Sequence, residues 1–308
     1  MSQKFTTGVR FTEHFGALES LSFWGEGVGG GLYIAATVAG QLAVAALGVG
    51  FVFVAVVALL AHLGNPQRSW RAPARVASAW VSRGTLTISG FFGLAVLALG
   101  VPYLGNLGSL QTILTGASLA FAVLVMIYAG ALLSSMKAIH LWRGIYLPLA
   151  FTAHSLTTGF IVVCAVASFS AGPVGHSGLL LSISLVGVLL CGAITGFHLT
   201  RIERSAGVHA SLKRLLKGDL RRSFVWGAIG LGMVVPLIGL VAEHFILTTA
   251  VQTLVLAVVA VCRLYGDFAY RSSIVQAGAY EPIIPASLSK RIVGNTQLAG
   301  GRPFFNHG

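Results

Sequence analysis

Residues 24–63 read WGEGVGGGLYIAATVAGQLAVAALGVGFVFVAVVALLAHL, and this stretch decides the fold because its one charged residue is Glu26. A helix crosses the hydrocarbon core of a bilayer, roughly 30 Å, with about 20 apolar residues. The stretch is therefore too long for one ordinary span and long enough for two that meet in a tight turn near Gln41. A single tilted helix is the alternative, and it would reduce the number of spans by one.

Outside this stretch, six apolar runs are long enough to cross a membrane. They are residues 84–104, 110–136, 145–171, 178–200, 223–245 and 246–268. The sequence thus predicts an all-α integral membrane protein, an eight-transmembrane-helix bundle over residues 24–268 between an N-terminal segment (1–23) and a C-terminal tail (269–308). Composition agrees, since 9% of the 308 residues are charged, whereas soluble domains have about 25%. Soluble enzymes and nucleic-acid-binding proteins are therefore excluded.

The basic residues alternate from one connection to the next. The connection after span two contains Arg68, Arg71 and Arg75 and leads to Arg83 at the start of span three. The connection after span four contains Lys137 and Arg143, and the connection after span six covers residues 201–222. The connections near residues 106, 175 and 244 have no Lys or Arg. Basic loops remain on the cytoplasmic side of a membrane. With eight spans, both termini are then cytoplasmic, and much of the net charge of +12 lies on that side.

Residues 203–220 form an amphipathic connection. Its leucines, at positions 212, 215, 216 and 220, recur at helical spacing between Lys and Arg residues. This pattern indicates a helix that lies among the lipid headgroups. A simple basic loop is the alternative interpretation.

Ionisable residues within spans are costly in a bilayer and are the first candidates for a functional site. On the predicted topology, Glu26, His62, Arg83 and Tyr128 all fall toward the cytoplasmic face. A quinone head group needs donors for its two carbonyls and a source of protons when it is reduced, and these side chains supply both. Structural roles are the alternative, because His at a helix C-terminus meets the helix dipole and Tyr and Arg anchor spans at the interface.

Several short motifs resemble one family of membrane subunits. They are HLGNPQRSW at residues 62–70, SAWVSRG at 78–84, and YAGALLSSM at 128–136 followed by Trp142 and Leu147-Pro148. Together with Trp24 and the glycine-rich residues 25–31, they resemble the polysulfide reductase and dimethyl sulfoxide reductase membrane-anchor superfamily. Spans six and seven match that superfamily in hydropathy alone.

The resemblance implies a quinone-reactive anchor subunit of a multi-subunit oxidoreductase in the bacterial cytoplasmic membrane. An iron–sulfur subunit would dock on one face, with a molybdenum pterin catalytic subunit beyond it, and the quinone would be ubiquinone or menaquinone. By motif position, His62 and Tyr128 are quinone contacts, and Trp24, Glu26 and Arg83 stand near them. Partner docking falls to the basic loop residues Arg68, Arg71, Arg75, Lys137 and Arg143. A cytoplasmic docking face would suit oxidation of sulfite or an aromatic acyl-CoA.

His154, Asp267 and Glu243 are candidates for proton transfer because they are ionisable and lie in or next to spans. No metal site is predicted, since the three cysteines lack ligand spacing. Two other functions stay open. A haem b electron carrier needs two His at similar depth on different helices, and a pair formed by His62 and His198 is conceivable. A small-solute or ion transporter would normally have broken helices and repeated halves, and only the glycine-rich first span suggests one.

Overall fold

The structure of the chain, a computed structural model, describes residues 9–12, 16–62, 80–104, 108–169, 177–202, 205–243, 245 and 249–281. Nearly all of these residues are helical, as the sequence predicted. The long helices are α1 (Ala17–Val38), α2 (Leu42–His62), α3 (Trp80–Gly100), α4 (Gly108–Ser134), α5 (Tyr146–Phe169), α6 (Ser177–Arg201), α8 (Arg222–Ala242) and α9 (Thr249–Gln276). A short helix, α7 (Ala206–Leu216), two 3₁₀ helices (Val101–Tyr103 and His140–Trp142) and two strands, β1 (Arg10–Phe11) and β2 (Ala279–Tyr280), complete the described elements. The first part of α8, Arg222–Val234, is π-helical.

Residues 24–62 belong to two helices, so the interpretation of this stretch as one tilted helix is wrong. The chain turns at Gly40, whose φ of +71° is favoured by the lack of a side chain. The amides of Gly40 and Gln41 donate to the carbonyls of Thr37 and Ala36, at 3.1 and 2.8 Å, and so close the end of α1. Helix α1 begins at Ala17, earlier than expected, because Glu19 caps the amide of Gly16 at 2.8 Å.

Seven of the described helices are long and apolar enough to cross a membrane, and α1 is not among them. Its two glutamates and five glycines lower its mean hydropathy. Helix α1 nevertheless lies inside the bundle, where it packs against α2, α4, α5 and α9. Fifteen of its 22 residues are buried, so most of its surface is covered by protein.

Glycines bring α1 into direct contact with its neighbours. A Cβ added at Gly31 would lie 2.1 Å from the carbonyl oxygen of Ser155 on α5, and one at Gly29 would lie 2.6 Å from that of Gly48 on α2. Small residues allow such close approach of helix backbones in membranes. The glycines of α1 therefore allow this helix to lie directly against α5. Helix α5 is itself two-thirds buried.

The long helices alternate in direction, so every second connection between them lies at the same end of the bundle. Tyr128 near the end of α4 packs on Gly84 near the start of α3, and Thr195 near the end of α6 meets His154 in the first half of α5. We call the end where α2, α4, α6 and α9 finish the basic end, because the basic connections belong to it. Strands β1 and β2 pair there, with Arg10 opposite Tyr280.

Helix α7 and its neighbours cover the basic end. Arg214 donates to Asp219 at 2.7 Å and to the Gln276 carbonyl at 2.8 Å, and its guanidinium lies 4.6 Å from the Phe11 ring. The hydrogen bond from Arg214 lowers the pKa of the Asp219 carboxyl. Leu215 is buried and Leu216 is exposed. The amphipathic connection is thus helical over Ala206–Leu216 and not a simple loop, and its position among lipid headgroups stays a prediction.

The last helix is longer than the sequence predicted. Helix α9 continues past Phe268 to Gln276, and Arg271, which the predicted boundary placed in the C-terminal tail, is fully buried within it. The physical reason is local: Arg271 finds an acidic partner four residues earlier on its own helix, at Asp267. A charge at the end of an apolar run therefore does not mark the end of this helix.

Candidate functional site

Among the described residues, six acidic, basic or imidazole side chains have at most 1% of their surface exposed. Five of them are Glu26 on α1, His154 on α5, and Arg263, Asp267 and Arg271 on α9, and the sixth is His198 on α6. Removing a charge from water costs several kcal/mol unless partners compensate for it. The contacts that compensate for these buried side chains therefore mark the candidate functional site.

Arg271 joins three helices. Its Nε donates to Asp267 Oδ1 at 3.1 Å on α9, and its Nη1 donates to the Phe23 carbonyl at 3.0 Å on α1. Its Nη2 reaches α5, where it donates to the Phe151 carbonyl at 3.0 Å and to Ser155 Oγ at 2.7 Å. The planar guanidinium has enough donors to serve all four acceptors at once. Arg271 is thus a fixed positive charge at the junction of α1, α5 and α9.

His154 and Asp267 meet beside Arg271. His154 Nδ1 lies 3.7 Å from Asp267 Oδ1, and its Nε2 lies 3.4 Å from the Thr195 hydroxyl on α6. The imidazole stacks on the Tyr270 ring, with a centroid separation of 4.2 Å and an interplanar angle of 6°. Asp267 Oδ2 has no hydrogen-bond partner among the described residues. Two of the three predicted proton-transfer residues are therefore neighbours.

Arg263 lies two helical turns before Arg271 on α9. Its Nε donates to Thr158 Oγ1 at 3.1 Å and its Nη1 to the Gly232 carbonyl at 2.6 Å. Its Nη2 contacts Cys191 Sγ at 3.2 Å and the His154 carbonyl at 3.3 Å. All these partners are neutral. Arg263 therefore adds positive charge to the interior next to His154.

Glu26 and Tyr128 form a second part of the buried site, next to the start of α3. Glu26 Oε1 accepts a hydrogen bond from Ser22 at 3.2 Å, and its carboxyl interacts electrostatically with both Arg271 and Tyr128. The Tyr128 ring packs on the backbone of Gly84, where an added Cβ would lie 2.0 Å from Cζ. The adjacent Arg83 guanidinium lies 4.8 Å from the Trp80 ring. Three predicted quinone residues, Glu26, Arg83 and Tyr128, thus belong to one end of the bundle.

The other predicted site residues are placed differently. The Trp24 indole donates to the Leu264 carbonyl at 3.1 Å and its ring meets Phe51 and Phe268 edge-on, so Trp24 lies between α2 and α9. Glu243 is buried at the opposite end of the bundle from His154 and Asp267.

The predicted docking residues divide into two sets. Lys137 and Arg143 are exposed between α4 and α5. Arg68, Arg71, Arg75 and the side chain of His62 lie outside the described part of the chain, and the backbone of His62 ends α2.

Arg271 is the main site residue that the sequence reasoning missed. A signal was present, because Arg263, Asp267 and Arg271 recur every four residues and so share one face of a helix. The uncharged partners Ser155, Thr195 and Tyr270 gave no comparable signal, since their importance arises from their contacts with other helices.

Together, the fold and the site define a multi-span membrane protein with a hydrogen-bonded group of ionisable residues inside its helical bundle. The sequence profile of the family described as DMSO reductase anchor subunit (DmsC) matches residues 32–271. The match covers most of the chain, and the chain therefore belongs to this family. A comparison with curated proteins finds no match.

Family membership confirms the resemblance that the sequence motifs indicated. The protein is a multi-pass anchor subunit of a DMSO reductase-type complex in the cytoplasmic membrane, and catalytic and iron–sulfur subunits are its partners. The matched range begins after Trp24 and Glu26, so the roles of these two residues depend on their contacts in the structure.

Proposed function

We propose that this subunit exchanges electrons between the membrane quinone pool and an iron–sulfur subunit docked at the basic end. The observation that carries the proposal is the convergence of Glu26, Tyr128 and the Arg83–Gly84 start of α3 at the end where the basic connections lie. A quinone, ubiquinone or menaquinone, supplies two-electron chemistry coupled to two protons. The protein must then supply hydrogen-bond donors and protons.

The residues present fit a quinone head group. Glu26 is fully buried, and its Oε2 has no hydrogen-bond partner among the described residues. A buried polar atom without a partner usually has a specific explanation, such as a ligand or water. The Tyr128 hydroxyl would hold a quinone oxygen, Glu26 would exchange a proton, and His62 and Arg83 would complete the site. Since the Trp24 indole N–H is already engaged, Trp24 would position α1 against α9.

Buried polar contacts support a proton route to this site. Arg271 interacts with Glu26 and with Asp267, and Asp267 lies 3.7 Å from His154. We assign proton transfer to His154 and Asp267, with Arg271 holding the aspartate in place. Glu243 would act at the opposite end of the bundle.

The membrane orientation follows from the same charges. We propose that α1 crosses the membrane as an eighth span shielded from lipid by its neighbours, and that both termini are cytoplasmic. Segment 1–23 and tail 269–308 would then flank the bundle of residues 24–268, although α9 itself extends to Gln276. Pairing of β1 with β2 supports placing both termini on one side. Arg68, Arg71, Arg75, Lys137 and Arg143 would face the docked partner, and oxidation of sulfite or an aromatic acyl-CoA would suit a cytoplasmic partner.

Reporter fusions test this orientation. We expect reporters at the N-terminus and the C-terminus to be active only as cytoplasmic reporters, and one inserted at residue 175 to be active only as an exported reporter. An insertion at residue 137 is the matched control and is expected to behave like the termini. Termini on opposite sides would show that α1 does not cross the membrane.

Gentle purification tests the function itself. We expect an affinity-tagged chain solubilised in mild detergent to retain an iron–sulfur subunit and a molybdenum subunit, and a solvent extract of the complex to contain quinone. A mock purification from cells with the untagged chain controls for carry-over of membrane quinone. Recovery of the chain alone and without quinone would contradict the proposal.

A further inference from the structure

Three basic residues lie close together where α7 leads into α8. Lys217 follows α7 directly, Arg221 precedes α8, and Arg222 begins it. The Arg221 amide donates to the Gly218 carbonyl at 3.2 Å, so a tight turn separates the two helices. All three basic residues are exposed. We call Lys217, Arg221 and Arg222 the basic corner.

The charges of the basic corner are not cancelled by the part of the chain that the structure describes. Asp219 is the one acidic residue between positions 205 and 234, and it is held by Arg214. Arg214 donates to it from Nη2 at 2.7 Å and from Nε at 2.9 Å. These hydrogen bonds lower the pKa of the Asp219 carboxyl, so the aspartate stays ionised and paired with Arg214. No residue of the basic corner forms an ion pair with another described residue. The basic corner therefore favours an anionic ligand.

Exposed apolar side chains continue from the basic corner along α8. Trp226 lies one turn after Arg222, and 65% of its surface is exposed. Leu231, Val234 and Ile238 are exposed farther along the same helix. Because α8 is long and apolar enough to cross a membrane, these side chains lie within the thickness of the bilayer. The basic corner thus stands at the membrane end of a lipid-facing surface.

The exposed face of α7 combines the same two kinds of side chain. Leu216 is 44% exposed and lies between the exposed Lys213 and Lys217. Tryptophan is enriched at the boundary between headgroups and acyl chains, which is where Trp226 stands. A soluble partner could reach the basic corner, but it could not cover the exposed side chains of α8 inside the bilayer. An anion attached to acyl chains would cover both.

We propose that the basic corner binds the phosphate of an anionic phospholipid, whose acyl chains lie along the exposed side chains of α8. Guanidinium groups bind phosphate oxygens through paired, charge-assisted hydrogen bonds. Basic residues next to a span also attract anionic lipids electrostatically. The position of α7 among headgroups is a prediction about depth alone, whereas this proposal names the class of lipid and the residues that select it. None of these residues belongs to the proposed quinone site, so the proposal does not depend on the proposed function.

Photoactivatable lipids test the proposal on the purified complex. The complex is reconstituted in phosphatidylcholine vesicles that contain a trace of either phosphatidylglycerol or phosphatidylcholine with a diazirine on one acyl chain. The label on the peptide that contains Trp226 is then quantified. We expect phosphatidylglycerol to label this peptide more strongly than phosphatidylcholine does. Arg222→Gln should lower this preference about fivefold, which corresponds to about 1 kcal/mol for one cation near the membrane surface.

Further variants separate charge from other effects of substitution. The triple variant Lys217→Gln, Arg221→Gln and Arg222→Gln should lose the preference for phosphatidylglycerol. Arg222→Lys keeps the positive charge and should retain most of the preference. Arg10→Gln removes an exposed arginine of β1, which is not part of a span, and should leave the preference unchanged. Unfolding temperatures establish that each variant is folded.

Three results would overturn the proposal. One is equal labelling by the two lipids in the wild type, or an unchanged preference in the folded triple variant. Another is loss of the preference when millimolar inorganic phosphate is added, which would identify a site for a soluble anion. The third is release of the iron–sulfur subunit by the triple variant with the lipid preference retained, which would make the basic corner a docking surface for protein.

Discussion

Replacing Arg271 with leucine is expected to destabilise the protein by about 3 to 5 kcal/mol, the usual cost of leaving a buried charge without its partner. The substitution removes the donor to Asp267 and the links from α9 to Phe23 on α1 and to Ser155 on α5. The loss is measured as a lower unfolding temperature of the detergent-solubilised protein and as a lower yield of assembled complex.

Two further variants separate charge from general damage. Arg221→Leu removes an exposed arginine and should change stability by no more than about 0.5 kcal/mol. Adding Asp267→Leu to Arg271→Leu removes the stranded carboxylate and should restore part of the lost stability. If Arg271→Leu unfolded at the same temperature as Arg221→Leu, the buried ion pair would have no structural importance.

Replacing Glu26 with glutamine is expected to lower quinone-linked turnover of the complex about a hundredfold, the lower range for loss of a proton-transfer group. Glutamine keeps the size of the side chain and the oxygen that accepts from Ser22, but it carries no titratable proton. Turnover with an artificial electron donor that reduces the iron–sulfur subunit directly should not change, because that assay bypasses the quinone.

Glu19→Gln is the matched control on the same helix. Glu19 caps the amide of Gly16, and glutamine can serve the same capping role. We therefore expect quinone-linked turnover of this variant to equal that of the wild type. Equal turnover in Glu26→Gln and Glu19→Gln, or an equal loss in both assays, would remove Glu26 from the quinone site.

The helical fold was predictable because the length of each apolar run can be counted in the sequence, without knowing which helices it packs against. Residues 24–63 exceed one span, and Gly40 supplies the turn that divides them. The ends of the helices were less predictable. Taken as isolated charges, Asp267 and Arg271 look like the end of a span. Helix α9 continues through both because the two side chains neutralise each other inside the bundle.

The candidate site was predictable in part. Glu26 and Tyr128 stood out because ionisable and hydroxyl groups in apolar runs are rare and costly. Trp24 and Arg271 did not reveal their positions, since hydropathy does not say which neighbour a helix face meets. Close contact of the α1 glycines with α2 and α5 sets the rotation of α1. That rotation turns Trp24 toward α9 and places Gly27 against the Arg271 guanidinium.

Photolabelling with a reactive quinone analogue tests the central claim most directly. The purified complex is illuminated with an azidoquinone, with and without excess natural quinone, and the labelled peptides are sequenced. We predict label, competed away by natural quinone, on the α1 peptide that contains Glu26 and the α4 peptide that contains Tyr128. Competed label on peptides from the opposite end, such as the one that contains Glu243, would contradict a quinone site at the basic end.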